Sequence, residues 1–346
     1  MDKKIELKKK DKLISLDIII PVFNEEEVLP LLFETLETDF SPENLELNNV
    51  KSVHYIMIDD GCDDKSTEII CGYIKNGLPA SLYRFTRNFG HQNAVAAGLK
   101  YSTADVVAVI DADLQDPPEV ILQMISKWRE GYYVVYGERK KRKENFLKRS
   151  AYWIFYRILS YLAEIDIPHD SGDFSLMDRK VVQEMCNLPE KLRYPRVLRA
   201  WVGFRQTSVP YERFARKAGK PKYSFFKYFK LATDGITSAS VRPLRISQIF
   251  SIFYLLVLIF FAAAISIKYT YYIKIIPEMR TISEQMALWF LFCFGLIALG
   301  SFIQSLLLYI LSAYIGRGYL ELKGRPPYII MEVIKKDSLV NGNNSG

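Results

Sequence analysis

Histidine and cysteine are scarce in this chain, which has three His and four Cys among its 346 residues. The cysteines at positions 62, 71, 186 and 293 show no paired spacing, and the histidines at positions 54, 91 and 169 are isolated from one another. A disulfide framework or a zinc site needs such residues at close, regular spacing, so neither is indicated. The composition fits a reduced, cytosolic setting.

The sequence also lacks the glycine-rich loops that commonly cradle phosphates. No Gly-x-Gly-x-x-Gly follows the first predicted strand, and no Gly-x-x-x-x-Gly-Lys-Ser/Thr occurs. This absence counts against a dinucleotide-dependent dehydrogenase and against a P-loop ATPase. Any phosphates must then be held by a metal ion and basic side chains.

Two long runs near the C-terminus contain no charged residue. They cover residues 246–267 and 285–316, and the second has an apolar core at 286–311. Spanning a bilayer takes about 20 apolar residues in a helix, and a buried helix of a soluble domain seldom stays uncharged so long. We therefore predict transmembrane helices at 246–268 and 286–311, joined by an external loop at 269–285; a long core hairpin is the alternative.

Basic residues predict the orientation of these spans. Lys and Arg are frequent before the first run and after the second, whereas the connection holds only Lys268, Lys274 and Arg280. The positive-inside rule then places both termini, including the tail at 312–346, in the cytoplasm, as parts of an integral protein of the inner (cytoplasmic) membrane. The net charge of +7 is concentrated beside the spans, so anionic lipid is a nearer partner than nucleic acid. The basic tail at 1–15 lacks an apolar core and so is not a secretory signal.

The N-terminal part repeats a pattern of strand, turn and helix. Strands are predicted at 16–22, 53–58, 82–86, 105–110 and 132–137, and helices at 25–38, 65–75, 91–101 and 118–130. Alternating elements of these lengths predict an α/β sandwich around a mostly parallel sheet. We assign this domain to residues 16–222 and an interfacial amphipathic segment to 223–245.

Acidic residues gather in the turns after three of the predicted strands. Asn24 and Glu25 follow the first, Asp59 and Asp60 follow the second, and Asp111 and Asp113 follow the fourth. Ligands of open parallel sheets collect at the carboxyl ends of the strands, so these turns are expected to face one crevice. Oxygen ligands around a turn suit Mg²⁺ or Mn²⁺, which in turn commonly hold a phosphate. A solvated acidic turn is the plain alternative.

Several motifs occur in the order found in family-two glycosyltransferases, which the chain resembles. They are Ile-Pro-Val-Phe-Asn-Glu at 20–25, Asp-Asp-Gly at 59–61, Arg-Asn-Phe-Gly at 87–90 and Asp-Ala-Asp-Leu-Gln-Asp-Pro at 111–117. Gly-Glu-Arg at 137–139, Gly-Asp-Phe-Ser-Leu-Met at 172–177, Trp-Val-Gly-Phe at 201–204 and the segment 213–223 are similar to the polyprenyl-phosphate branch of that family. The resemblance covers the chain from residue 16 to about 328.

The resemblance implies a nucleotide-sugar-binding (GT-A-like) fold, a nucleotide-sugar donor, a divalent metal and a polyprenyl phosphate acceptor. It assigns the nucleoside to Pro21, Asn24, Glu25 and Asp60, and the metal and diphosphate to Asp111, Asp113 and Gln115. It places Asp173 beside the sugar and the acceptor, and it gives Arg139, Arg213, Arg216 and Lys222 to phosphate groups. Asp113, Asp173 and Arg139 are the expected catalytic residues.

Two positions depart from the family pattern. Cys62 stands where Ser or Thr often follows Asp-Asp-Gly, and Pro221 stands where the family usually has Ser before Lys222. Proline has no backbone N–H and no side-chain hydroxyl, so position 221 offers neither donor to the acceptor phosphate.

The expected reaction is the inverting transfer of a hexose, with glucose from UDP-glucose as first guess, to polyprenyl phosphate at the cytoplasmic membrane face. The acceptor is already an anion, so it needs placement more than deprotonation.

Processive polysaccharide synthases are the nearest alternative, but they have more spans and a Gln-x-x-Arg-Trp motif, where this chain has Arg-Val-Leu-Arg-Ala-Trp at 196–201. A non-catalytic nucleotide-sugar-binding scaffold is the second alternative. Gly295 and Gly300 would allow helix packing in a homo-oligomer, although ordinary span composition explains them too.

Overall fold

The computed structural model describes residues 12–139, 171–191, 193–214 and 282–336, with scattered positions between 244 and 263. Its strands are β1 (Ile14–Val22), β2 (Val50–Asp59), β3 (Ala80–Phe85), β4 (Val106–Val109), β5 (Val134–Arg139), β6 (Ser171–Asp178), β7 (Gln206–Tyr211) and β8 (Ile330–Ile334). Its helices are α1 (Leu29–Asp39), α2 (Pro42–Leu47), α3 (Ser66–Lys75), α4 (His91–Tyr101), α5 (Val120–Arg129), α6 (Arg179–Asn187), α7 (Pro195–Trp201) and α8 (Ile282–Leu322).

The strands of the described residues form one sheet in the order β7-β5-β6-β4-β1-β2-β3-β8. β1 is parallel to β2 and β4, β2 is parallel to β3, and β5 is parallel to β7. β6 is antiparallel to β4 and β5, and β8 is antiparallel to β3. The predicted α/β fold with a mostly parallel sheet is confirmed, and each of its predicted strands and helices is present within a few residues of its predicted bounds.

Apolar residues on both faces of the sheet explain the continuous hydrophobic runs of the central strands. In β1, Ile18 and Ile20 belong to one buried core and Ile19 to the other. The first core is covered by α1, α3 and α5, and the second by α4, α6 and α7. A strand buried on both sides needs apolar residues at successive positions, which is typical of parallel sheets between helices.

One helix of the described residues is long and apolar enough to cross a membrane, with a candidate span at Cys293–Leu322 of α8. Its large side chains face outward; Phe294 is 72% exposed and Phe302 is 68% exposed. The helix continues to Leu322, beyond the predicted end of the second span at 311. The interfacial segment at 223–245 lies outside the described residues except for Leu244, and the first span at 246–268 is described only in part, between residues 250 and 263, so the first span stays a prediction.

The predicted C-terminal tail contributes to the sheet. β8 follows α8 after residues 323–329 and pairs with β3 at the sheet edge. The folded α/β domain therefore includes residues from both sides of the candidate membrane helix α8 in the sequence. The predicted domain at residues 16–222 did not include this strand.

Gly98 allows α4 to approach β1 closely. A Cβ at this position would lie 2.2 Å from Cγ2 of Ile19, whose side chain is fully buried. A Cβ at Gly72, inside α3, would meet no atom within 4 Å. Gly98 and Gly72 therefore differ in their surroundings, and of these two glycines only Gly98 is required by packing.

Gly98→Ala should lower the melting temperature of the full-length protein in detergent. Overpacking a core costs about 1–3 kcal/mol, which exceeds the gain of up to about 1 kcal/mol from replacing glycine in a helix. Gly72→Ala is the matched control and should leave the melting temperature unchanged or raise it. Equal melting temperatures for the two variants would contradict the close approach of α4 to β1.

Candidate active site

The loops after β1 and β2 are joined by reciprocal hydrogen bonds. The Asn24 side chain donates to the Asp63 carboxylate, and the backbone N–H of Asp63 donates to Oδ1 of Asn24 at 3.0 Å. The backbone N–H of Glu25 donates to Oγ of Ser66 at 2.9 Å. Asn24 has a φ of 53°, a left-handed conformation that Asn tolerates better than most residues. Asn24 and Glu25, two of the predicted nucleoside residues, thus lie in one fixed rim with the loop after β2, next to Pro21 in β1.

Asp59 and Cys62 form the turn at the end of β2. Asp59 is fully buried and accepts hydrogen bonds from the Cys62 N–H at 2.7 Å and from Oγ1 of Thr67 at 2.6 Å. Nε of Arg84 lies 3.4 Å from the same carboxylate. The Cys62 thiol donates to the Val22 carbonyl, and burial raises the pKa of this thiol. Cys62, which departs from the family pattern, is therefore buried in this turn and makes its contacts within it.

Asp60 holds the loop at 86–90 through its backbone. The carboxylate accepts hydrogen bonds from the N–H groups of Phe89 at 2.7 Å and of Gly90 at 3.0 Å. Burial raises the pKa of Asp60 to about 6, against the opposing effect of these two hydrogen bonds. Gly61 has a φ of 76°, and a Cβ there would lie 2.5 Å from backbone atoms of Arg87 and Asn88. The Arg-Asn-Phe-Gly loop therefore lies directly on the Asp-Asp-Gly turn.

His91 lies between two of the predicted site carboxylates. Its Nε2 is 3.3 Å from Oδ2 of Asp173 and 3.7 Å from Oδ1 of Asp111. Burial opposes a charge on His91, but the Asp173 hydrogen bond and the charges of Asp111, Asp173 and Asp60 raise its pKa to about 9. This histidine was not among the predicted site residues. Its position at the first residue of α4, directly after the Arg-Asn-Phe-Gly motif, was the available signal.

The two carboxylates beside His91 differ in their ionisation. Burial raises the pKa of Asp111 to about 6; neighbouring carboxylates add to this effect, whereas the charge of His91 opposes it. Burial also opposes a charge on Asp173, but hydrogen bonds from His91 and Gln92 and the charge of Arg196 hold its pKa well below the usual range. Asp173 is therefore a stable anion at neutral pH.

The turn after β4 is fastened to the end of β7. The Gln115 N–H donates to Oδ1 of Asp113 at 3.1 Å, and the Gln115 carbonyl accepts from the Phe214 N–H at 3.0 Å. Leu114 has a φ of 55°, which an ordinary side chain rarely adopts. Asp113 is 6% exposed. A strained conformation held by surrounding contacts is common at functional sites.

Asp116 lies close to two of the basic residues that are predicted to hold phosphates. It is buried and lies 3.3 Å from Nε of Arg213 and 4.0 Å from the Arg139 guanidinium. The Tyr211 hydroxyl donates to Asp116 and accepts from Nε of Arg139 at 3.2 Å. Asp116 and Tyr211 were not among the predicted site residues, although Asp116 belongs to a quoted motif. Arg216 and Lys222 lie outside the described residues.

Helix α7 adds two arginines that were not among the predicted site residues. Nε of Arg196 is 3.7 Å from Oδ1 of Asp173. Arg199 is buried, donates to the Gly172 carbonyl at 3.5 Å and lies over the Tyr136 ring, and burial lowers its pKa to about 10. These residues lie in the region that corresponds to the Gln-x-x-Arg-Trp motif of processive synthases. That correspondence was the signal in the sequence that could have identified them.

Asp111, Asp113 and Gln115 are the predicted metal ligands, and two of them are carboxylates. No group of three or more His, Cys, Asp or Glu side chains within the described ranges forms a self-sufficient metal site. The two carboxylates nevertheless fit Mg²⁺ or Mn²⁺, since such ions are often held by one or two carboxylates, with substrate phosphates and water as the other ligands. In the described structure Gln115 contributes backbone contacts to this turn.

Comparison with known proteins is consistent with this site. Residues 17–186 match the model of glycosyl transferase family 2. The uncharacterized glycosyltransferase YkcC of Bacillus subtilis (strain 168) is 42% identical over 322 residues, which cover 92% of this chain and 94% of that protein. The prophage bactoprenol glucosyl transferase homolog of Escherichia coli (strain K12) is 33% identical over 325 residues, covering 93% and 100%. The bactoprenol glucosyl transferase of Shigella phage SfX is 33% identical over 320 residues, covering 92% and 99%.

These matches extend over nearly the whole chain and include the region after the α/β domain. The order of motifs and the acidic rim of the sheet agree with them. The chain therefore belongs to glycosyl transferase family 2, in the same branch as the bactoprenol glucosyl transferases.

Proposed function

We propose that the protein transfers a hexose from a nucleotide sugar to polyprenyl phosphate at the cytoplasmic face of the membrane, with inversion at the anomeric carbon. The observation that carries the proposal is the 33% identity to bactoprenol glucosyl transferases over at least 97% of their length. Glucose is the first candidate for the sugar and UDP-glucose for the donor, because the names of these relatives specify a glucosyl group.

The charges of the cleft suit a reaction between two anionic substrates. Arg139 and Arg213 flank Asp116 on one side, and His91 and Arg196 flank Asp173 on the other. A lipid phosphate is ionised at neutral pH, so the protein must hold its oxygen in line with the anomeric carbon more than remove a proton. Basic side chains beside the acidic turn can hold such a phosphate.

Asp173 is suited to orient a substrate hydroxyl or the acceptor. His91, Gln92 and Arg196 surround its carboxylate and keep it ionised, so it acts as an acceptor of hydrogen bonds and not as a proton donor. Oδ1 of Asp173 is buried and has no hydrogen-bond partner among the described atoms. A substrate hydroxyl that donated to this oxygen would satisfy it.

Asp111 and Asp113 would hold Mg²⁺ or Mn²⁺, which would stabilise the negative charge on the departing nucleoside diphosphate. Asn24, Glu25 and Asp60 line the neighbouring rim, where the resemblance places the nucleoside. The donor would thus lie across the carboxyl ends of β1, β2 and β4, with its diphosphate next to the turn after β4.

The position of β8 supports a membrane topology with two spans. α8 has 41 residues, about 60 Å at 1.5 Å per residue, which exceeds the ~30 Å of a bilayer core. Near its end Arg317 lies over the Tyr194 ring, and the Lys191 N–H donates to Glu321, so this end meets the α/β domain. Because strands on both sides of the membrane segment share one sheet, the chain must cross an even number of times. A second crossing at 246–268 would meet this requirement and would place both ends on one side of the membrane, which the distribution of Lys and Arg predicts to be the cytoplasm.

The transfer reaction is tested directly with the purified full-length protein. A panel of labelled nucleotide sugars, undecaprenyl phosphate and Mg²⁺ or Mn²⁺ should yield a labelled glycolipid, with UDP-glucose expected as the best donor. No transfer from any donor would refute the proposed reaction, and donor binding without transfer would favour a non-catalytic scaffold. A water-insoluble polymer as the product would favour a processive synthase.

Asp113→Asn should reduce transfer by about 10²–10³-fold, the usual cost of removing one preorganised electrostatic contact to the developing charge. Glu119→Gln, an exposed carboxylate shortly after the same motif, is the matched control and should keep wild-type activity. Chelation with EDTA should abolish the activity of the wild type and of the control. Unchanged transfer by Asp113→Asn would contradict its assignment to the metal and diphosphate.

Asp173→Asn should lower kcat strongly and should also lower the melting temperature, because His91 and Arg196 lose their anionic partner. The amide keeps the shape of the side chain but cannot supply the anion that His91 and Arg196 surround. Steady-state kinetics with donor and acceptor varied separately would measure the effect. If the variant and the wild type transferred sugar at equal rates, Asp173 would have no role in the reaction.

A further inference from the structure

The C-terminal strand β8 lies next to a loop of the active site. It pairs with β3 so that Leu82 is opposite Ile334 and Phe85 is opposite Ile330. One step further, the Thr86 N–H donates to the Ile329 carbonyl at 3.1 Å. β3 leads directly into the loop at 86–90, so the tail is bonded to the first residue of that loop.

A row of aromatic rings continues this contact into the loop. Tyr328 stacks on Phe85 with ring centroids 5.0 Å apart and an angle of 8° between the ring planes. Phe85 is buried and contacts Phe89 edge-to-face with centroids 5.7 Å apart. On the other side, the Arg87 guanidinium lies 4.2 Å from the centroid of the Phe89 ring. Tyr328 is therefore joined to the centre of the loop by a single intervening ring.

The loop in turn sets the position of two site residues. Its Phe89 and Gly90 N–H groups bind the carboxylate of Asp60. The next residue, His91, begins α4 and contacts Asp111 and Asp173. A displacement of Phe89 would thus move Asp60, on the predicted nucleoside side of the cleft. It would also move His91 relative to Asp111 and Asp173.

We propose that Tyr328 is a positioning residue for the nucleotide sugar, which acts through Phe85 and Phe89 on the loop at 86–90. This inference rests on the proposed function, because it concerns how the same site holds its nucleoside diphosphate donor. The protein thereby uses a residue beyond its membrane helix to order the donor side of the cleft. Loss of the Tyr328 ring weakens donor binding more than it slows the chemical step.

The stacked ring and the exposed face of β8 provide a matched set of variants. Tyr328→Ala removes the ring, Tyr328→Phe keeps it without the hydroxyl, and Tyr328→Leu keeps apolar volume without stacking. Met331→Ala is the control, since Met331 lies in β8, shortly after Tyr328, and is 52% exposed. All four are made in the full-length protein, and the melting temperature of each is measured.

The first readout is amide hydrogen exchange of residues 86–90, which requires no substrate. Tyr328→Ala and Tyr328→Leu should speed exchange of the Phe89 and Gly90 amides, whereas Tyr328→Phe and Met331→Ala should match the wild type. The second readout is donor kinetics, in which Tyr328→Ala should raise KM for the donor by about three- to tenfold, the range for losing one aromatic pair, with kcat nearly unchanged.

Two results would overturn the proposal. One is unchanged exchange of the loop amides in Tyr328→Ala. The other is that every variant with faster exchange of the loop amides shows an equal increase in exchange of the β8 amides at 330–334. The tyrosine would then serve only to hold the strand in the sheet. A wild-type protein without transfer activity would refute the proposed function, yet the exchange measurement would still decide whether Tyr328 orders the loop.

Discussion

The need to compensate carboxylates at one rim of the sheet organises the active-site half of the molecule. An uncompensated ion in a protein interior costs several kcal/mol, so each of these side chains is held by cations or backbone amides. Asp60 is held by two N–H groups, Asp173 by His91 and Arg196, and Asp116 by arginines. The same contacts fix the loops in which the partners lie. The geometry of the cleft and the stability of its rim therefore have one physical origin.

Much of the fold could be predicted from the sequence, because strands buried on both faces leave continuous apolar runs and the helices between them leave a 3.6-residue pattern. The acidic turns could be placed at one rim because β4, β1 and β2 are neighbours and parallel. β8 was missed for a physical reason. It is five residues long, and its partner β3 lies more than 240 residues earlier, so no local pattern specifies the pairing.

The predicted site residues were polar or charged residues within recognisable motifs. The site residues that were not predicted owe their place in the cleft to contacts with residues distant in sequence. His91 has no histidine or cysteine near it in sequence, and its carboxylate partners come from β6 and from the turn after β4. Arg139 and Arg213 were predicted as phosphate residues, but their shared contact with Asp116 required the tertiary structure. The sequence specified the residue types of the cleft, and the pairing among them followed from the order of the strands.

The late position of β8 has a consequence for biogenesis. A ribosome releases the α/β domain first and the strand that completes its sheet last, after α8 has been synthesised. Until then the edge of β3 presents unpaired backbone groups, a surface that is prone to wrong pairing with other chains. Docking of β8 therefore cannot precede the synthesis of α8, and a chain that stalls within α8 keeps an open edge at β3 that chaperones and proteases can recognise.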